Sequence, residues 1–84
     1  MRFLSRLFRR SQESARYRIK ITTEDGTVVY WHKNDQVHVV EEDVATIFVQ
    51  RFKPQLFEVL PNGSFSSPIA GTTMRVRKLE MERI

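Results

Sequence analysis

Apolar and polar residues alternate on both sides of an Asp25-Gly26 pair, and this pattern predicts a β-hairpin over residues 16–32. Asp-Gly suits a two-residue hairpin turn because both central residues of that turn have positive φ. With such a turn, Ile21 would face Tyr30 across the hairpin, whereas a three-residue loop would shift this register. For the two-residue turn, the expected core face consists of Tyr17, Ile19, Ile21, Val28 and Tyr30.

The opposite face of this hairpin would combine basic side chains with an aromatic ring. Its expected members are Arg16, Arg18, Lys20, Trp31 and Lys33. Sheet faces of this composition bind nucleic acid, because cations pair with phosphates and aromatic rings stack on bases. The alternative is a solubilising face on which Trp31 forms a cation–π pair or is covered by the N-terminal segment.

A helical repeat of apolar residues predicts an α-helix over about residues 42–53. Its apolar face would carry Val44, Ile47, Phe48 and Phe52. Acidic residues occupy the first turn and basic residues the last turn, as the helix dipole favours. Pro54 is expected to end the helix.

Short strands and turns account for the rest of the chain. The predicted elements are a turn at 33–36, a short strand at 37–40, a strand at 56–60, a turn at 61–63, a return strand from Phe65 and a last strand at 72–80. In the last strand the apolar phase slips before Leu79 and Met81, which indicates a β-bulge or the end of the strand. The order β-β-(β)-α-β-β-β predicts an α+β fold, a small antiparallel sheet with one packed helix.

The first ten residues differ in composition from the rest of the chain. Apolar residues recur there at helical spacing with arginines on the other side, and no acid precedes Glu13. The segment predicts a short basic amphipathic helix, joined by a linker that ends at residue 15 to a single domain over residues 16–84. Residues 1–20 carry a net charge of +6 and residues 21–84 a net charge of −2, so the basic character belongs to the N-terminal quarter.

Four roles are compatible with this segment. It could dock on its own sheet, or lie on an anionic membrane surface. It could also act as a mitochondrial presequence through residue 17, or as an arm that pairs with nucleic-acid phosphates. We expect a cytoplasmic protein, with the mitochondrion as the alternative if the presequence interpretation holds. No apolar run approaches the ~20 residues that a membrane span needs.

Candidate chemistry is sparse. The chain has no cysteine, which excludes disulfides and thiolate metal sites. His32 and His38 precede an acidic run at 41–43, but their spacing matches no metal-ligand signature. No nucleophile has an identifiable base, and no glycine-rich phosphate loop occurs. We therefore expect a protein that is not an enzyme and has no cofactor and no metal site.

The leading expectation is a non-catalytic interaction module of the accessory or regulatory kind that phages and plasmids encode, or a small subunit of a large assembly. It would bind a larger protein through its N-terminal helix or an exposed sheet edge. The apolar anchors would be Phe3, Leu4, Leu7 and Phe8, and the residues that steer the helix towards an acidic surface would be Arg2, Arg6, Arg9 and Arg10. The alternatives are nucleic-acid binding through the basic arm and the hairpin face, and peripheral membrane association.

No single sequence pattern predicts the oligomeric state. The last predicted strand, residues 72–80, could pair edge to edge with a second copy. Its cations Arg75, Arg77 and Lys78 could equally prevent such pairing.

Overall fold

The computed structural model describes residues 15–84, which form an antiparallel sheet with one α-helix packed on it. The predicted α+β class is confirmed, whereas the predicted N-terminal helix lies outside the described residues. In chain order the elements are β1 (Arg16–Thr23), β2 (Val28–Tyr30), β3 (His32–Lys33), β4 (Gln36–Val37), β5 (Val39–Glu41), α1 (Glu42–Arg51), β6 (Glu58–Val59), β7 (Phe65–Ser66) and β8 (Val76–Arg83).

β1 is the central strand of the main sheet. β8 pairs antiparallel with one of its edges from Tyr17 to Thr23. The other edge is shared, because β2 pairs with its C-terminal half and β5 with its N-terminal half. Ile19 and Ile21 of β1 are fully buried, as the alternating pattern predicted. The β3–β4 and β6–β7 pairs form two separate ribbons.

The predicted hairpin is present, but its predicted register is wrong by one residue. Tyr30 lies opposite Lys20 instead of Ile21, because the loop has three residues, 24–26. Gly26 has a φ of 90°, as expected of the left-handed residue that follows a type I turn in a three-residue loop. An Asp-Gly pair thus specified a hairpin without specifying the length of its loop.

Side-chain hydrogen bonds stabilise this three-residue loop. The Asp25 carboxylate accepts hydrogen bonds from the Thr23 hydroxyl and, at 3.0 Å, from the Thr27 N–H. Both bonds favour the ionised carboxylate and hold the pKa of Asp25 below its usual value, with the Thr23 hydroxyl as the larger cause. The backbone Thr23 N–H also donates to the Thr27 carbonyl at 2.9 Å, which closes the loop.

The shift in register exchanges the two faces of β2. Val29 and Trp31 now belong to the core face with Ile19 and Ile21, and Trp31 packs against the helix. Tyr30 lies on the opposite face, where the Arg18 guanidinium sits 4.2 Å from its ring centroid. The prediction that Val28 and Tyr30 are core residues and Trp31 an outward-facing one is therefore wrong, and Val28 is 46% exposed.

Helix α1 begins where it was predicted but ends at Arg51, two residues early. Phe52 has a non-helical ψ (φ −59°, ψ 137°), and the helix thus ends before Lys53, the residue that Pro54 biases away from the helical region. The buried face is also rotated from the predicted one. Ala45 is fully buried, whereas Val44 and Ile47 are about half exposed. The small Ala45 side chain allows close approach of the helix to the sheet, so it sets which face is buried.

The last strand runs from Val76 to Arg83, later than the predicted 72–80. Its pairing with β1 contains a bulge, because Thr22 lies opposite Lys78 while Thr23 lies opposite Val76. The extra residue, Arg77, brings Val76 and Leu79 to the same face, which confirms the bulge that the slipped apolar phase indicated.

The β6–β7 ribbon is fixed to the main sheet through its loop, 61–63. Gly63 has a φ of 91°, and its carbonyl accepts a hydrogen bond from the backbone N–H of His32 at 3.0 Å. A Cβ at this position would lie 2.0 Å from the Tyr30 carbonyl oxygen, so only glycine fits there. This close approach brings Phe65 of β7 next to Trp31.

The turn predicted at 33–36 joins β3 to β4. Asn34 and Asp35 have φ values of 54° and 63°, as a two-residue hairpin turn requires. The strand predicted at 56–60 shortens to Glu58–Val59, and Met74 forms an isolated bridge with Val59.

Candidate functional site: an aromatic groove with a basic rim

A groove of about 820 Å³ opens where α1, the segment after it, β3 and β7 meet. We call it the aromatic groove. Its apolar lining consists of Trp31, Ile47, Phe48, Phe52, Leu56, Phe57 and Phe65. Its polar lining consists of His32, Lys33, Asn34, Arg51, Lys53 and Ser64. No carboxylate is among these thirteen residues, so the electrostatic character of the groove is positive.

The floor of the groove is a packed cluster of aromatic rings. The Trp31 and Phe48 rings are stacked, with centroids 4.4 Å apart and planes 2° from parallel. Phe52 and Phe65 extend the cluster, with centroids 4.9 Å apart. Contacts of this kind add to the stability that area burial alone provides, and they hold the rings in fixed orientations. The floor is therefore a preformed surface.

Three different elements position these rings. The backbone N–H of Trp31 donates to the Ile19 carbonyl of β1, and the backbone carbonyl of Trp31 accepts a hydrogen bond from the backbone N–H of His38. Phe48 and Phe52 lie four residues apart at the end of α1, so both side chains lie on one side of the helix. Phe65 is held by the docked β6–β7 ribbon, which depends on the close approach of Gly63.

The wall of the groove exposes large apolar side chains to solvent. Ile47 is 52%, Leu56 54% and Phe57 43% exposed. Isolated exposed apolar residues are ordinary, but a contiguous set beside an open aromatic floor is typical of an interaction surface. Leu56 and Phe57 follow Pro54, in a turn held by the Leu56 N–H bond to the Lys53 carbonyl.

The rim carries the cations Lys33, Arg51 and Lys53. Within residues 15–84, the salt bridges involve Arg18, Arg75 and Lys78, and none involves a rim cation. The rim charges therefore have no carboxylate partner in the part of the chain that the structure describes. His32 completes this side of the groove, with its Nδ1 2.7 Å from the Tyr30 carbonyl oxygen.

The residues predicted to bind nucleic acid are not brought together. Arg18 and Lys20 project from β1 on the face opposite the helix, whereas Trp31 lies on the helix side and Lys33 on the groove rim. Arg16 is exposed at the start of β1, opposite Glu41 of β5. The basic-aromatic face predicted from the two-residue turn therefore does not exist in that form.

On the face opposite the helix, an acid of β8 pairs with a cation of β1, and a second acid pairs with a cation of β8 itself, Lys78. The Arg18 Nε donates to the Glu82 carboxylate at 2.6 Å, and Lys20 lies opposite Glu80. Arg18, by hydrogen bond and by charge, holds the pKa of Glu82 below its usual value despite some desolvation. The Tyr30 hydroxyl donates to the same carboxylate at 3.2 Å. No sequence pattern indicated this network, because it depends on the pairing of strands about sixty residues apart.

The residues predicted to anchor a partner through the N-terminal helix all lie outside the described residues. They are Arg2, Phe3, Leu4, Arg6, Leu7, Phe8, Arg9 and Arg10. Their role stays a prediction. The groove itself was missed at the sequence level, and its one local signal was the pair Leu56-Phe57 after a helix-ending proline.

Neither a metal cluster nor a membrane span is found in the described part of the chain. Among residues 15–84, no three His, Asp or Glu side chains are placed to share a metal ion. The helix described there, α1, is not long and apolar enough to cross a bilayer.

Comparison of the chain with protein-family models, with curated proteins and with solved structures finds no match.

Proposed function

We propose that this protein is a non-catalytic interaction module that binds an acidic, amphipathic segment of a larger protein in its aromatic groove. The observation that carries the proposal is the combination of an exposed apolar wall with a rim that is basic and lacks acids. A segment with one apolar face and acidic flanks is complementary to both features at once.

Apolar contacts are expected to supply most of the affinity. Burial of roughly 100 Å² of apolar surface contributes about 2.5 kcal/mol, whereas an exposed ion pair contributes about 1 kcal/mol or less. Ile47, Leu56 and Phe57 are therefore the proposed anchors. Lys33, Arg51 and Lys53 then determine the sign of charge that the partner carries.

The charge of the rim also argues against one internal occupant. The first ten residues of the chain carry four arginines and no acid. Their apolar stripe would suit the groove, but their charge is repelled by the rim. An external acidic segment is the better match. The nucleic-acid alternative has less support, since Glu82 pairs with Arg18 and Trp31 lies on the other face of the sheet.

The proposal is tested by fluorescence titration of Trp31, the only tryptophan of the chain and part of the groove floor. The probes are two synthetic amphipathic peptides with identical apolar residues, one with glutamates and one with lysines on the polar face. We expect the glutamate peptide to bind and to change the Trp31 emission. Equal responses to both peptides, or none to either, would contradict the proposal.

A matched pair of variants locates the binding site. Leu56→Asn should weaken binding of the glutamate peptide at least tenfold, because it removes an exposed anchor. Ile69→Asn changes an equally exposed apolar residue outside the groove and should leave the affinity unchanged. Similar losses in both variants would place the peptide elsewhere on the surface.

A further inference from the structure

Among the described residues, 15–84, β8 is an edge strand of eight residues. One of its edges pairs with β1, and no strand within residues 15–84 pairs with the other. An unpaired edge of this length presents a row of backbone donors and acceptors that can pair with another strand. The charges along β8 indicate which strand that is.

The charge pattern of β8 is complementary to itself in the antiparallel direction. Its first half is basic, with Arg77 and Lys78, and its second half contains Glu80 and Glu82 and ends in Arg83, so that half carries a net negative charge. When two such strands run antiparallel, the basic half of each lies beside the acidic half of the other. We propose that two copies of this chain associate through β8, joining their sheets across a two-fold axis.

Symmetry restricts the register of such a pair. In an antiparallel pair, residues directly opposite each other project from the same face of the sheet. A two-fold axis perpendicular to the sheet must therefore pass between the same residue of the two copies. Centring on Lys78 pairs lysine with lysine, and centring on Glu80 pairs glutamate with glutamate. Centring on Met81 pairs Glu80 with Glu82.

Centring on Leu79 gives no like-charge pair over residues 76–82, and Arg83 falls opposite Arg75, which precedes β8. In this register Lys78 of each copy lies opposite Glu80 of the other, and the two Leu79 side chains meet on the helix-bearing face. Lys78 and Glu80 are 3.8 Å apart within one chain, with side chains 55% and 47% exposed. Both are therefore accessible to a second copy. The joined sheet would keep both helices on one side and extend the apolar face across the axis.

Charge reversal at this pair tests the proposal by sedimentation velocity over a concentration series. The full-length chain should dimerise, and Lys78→Glu and Glu80→Lys should each weaken the dimer about tenfold or more, since each places two like-charge pairs at the interface. A chain that stays monomeric up to millimolar concentration would overturn the proposal.

A mixing experiment separates the interface from effects on folding. When the two single variants are combined, every Lys78–Glu80 position regains opposite charges, so a heterodimer should form with wild-type affinity. The double variant Lys78→Glu/Glu80→Lys should dimerise for the same reason. No recovery in either case would overturn the register. Lys33→Glu on the groove rim is the matched control, and it should leave the dimer unaffected. This keeps the dimer test separate from the groove test.

Discussion

At the residue scale, two glycines with nearly the same backbone conformation have different surroundings. Gly26 and Gly63 have φ values of 90° and 91°, and each ends a three-residue hairpin loop. Both loops place an Asx side chain before the glycine, so the sequence predicted both turns equally well. They differ in space, since no atom lies within 4 Å of a Cβ at Gly26 whereas the Tyr30 carbonyl blocks one at Gly63.

We therefore expect Gly26→Ala to lower the free energy of unfolding by about 1–2 kcal/mol, the cost of a left-handed alanine. Gly63→Ala adds a backbone overlap and should cost more than about 4 kcal/mol, which few single substitutions reach. Urea unfolding of the two variants measures the difference. Equal losses would show that the β6–β7 loop is not tightly docked.

Glu82 gives the fold a defined pH dependence. Its pKa is held below the usual 4.5 by Arg18, so its ionised form is favoured in the folded state. The stabilisation is fully present above the unfolded-state pKa, and it is lost as the pH falls through the lower folded-state pKa.

Glu82→Gln should consequently be less stable than wild type at neutral pH, and this difference in stability should narrow as the pH falls below the unfolded-state pKa of Glu82. Thermal unfolding at a series of pH values measures this difference in stability. The pKa of Asp25 is also lowered, but Asp25 contributes equally to the wild type and the variant. A difference that is independent of pH would show that the Arg18–Glu82 pair does not stabilise the fold.

At the element scale, the positions of β1 and α1 and the facing of β1 followed from periodicity, but the facing of β2 and of α1 did not. The pattern located β1, α1 and the hairpin, because alternation and helical spacing are local properties. The loop length at 24–26 was not fixed by Asp25-Gly26, and it reversed the facing of Tyr30 and Trp31. The aromatic groove depends on that reversal, so sequence patterns alone did not reveal it.

The facing of α1 has a direct test. Ala45 is fully buried against the sheet, whereas the neighbouring Val44 is 47% exposed. Ala45→Leu should lower the free energy of unfolding by about 1–3 kcal/mol, because the core has no room for the larger side chain. Val44→Ala should change it by less than about 0.5 kcal/mol, as is usual at exposed positions. If urea unfolding shows a larger loss for Val44→Ala than for Ala45→Leu, the buried face of α1 is the one that the sequence pattern predicts.

At the scale of the whole molecule, charge is distributed unevenly over the described part of the chain. Residues 15–84 carry ten basic and nine acidic side chains, so there is almost no overall excess. On the face opposite the helix, Arg18 pairs with Glu82 and Lys78 pairs with Glu80. The rim of the aromatic groove is where three cations gather without an acid. A local arrangement, and not general basicity, therefore underlies the proposed selectivity for an acidic partner.

The proposed function requires the rim to select the charge of the segment that the apolar wall anchors. Its most direct test is the Trp31 titration with the glutamate and lysine peptides, repeated on the double variant Lys33→Glu/Lys53→Glu. Arg51 is left in place because its positive charge in the last turn of α1 stabilises the helix through the helix dipole. We predict that the wild-type protein prefers the glutamate peptide and that the double variant prefers the lysine peptide. An unchanged preference in the double variant would contradict the account.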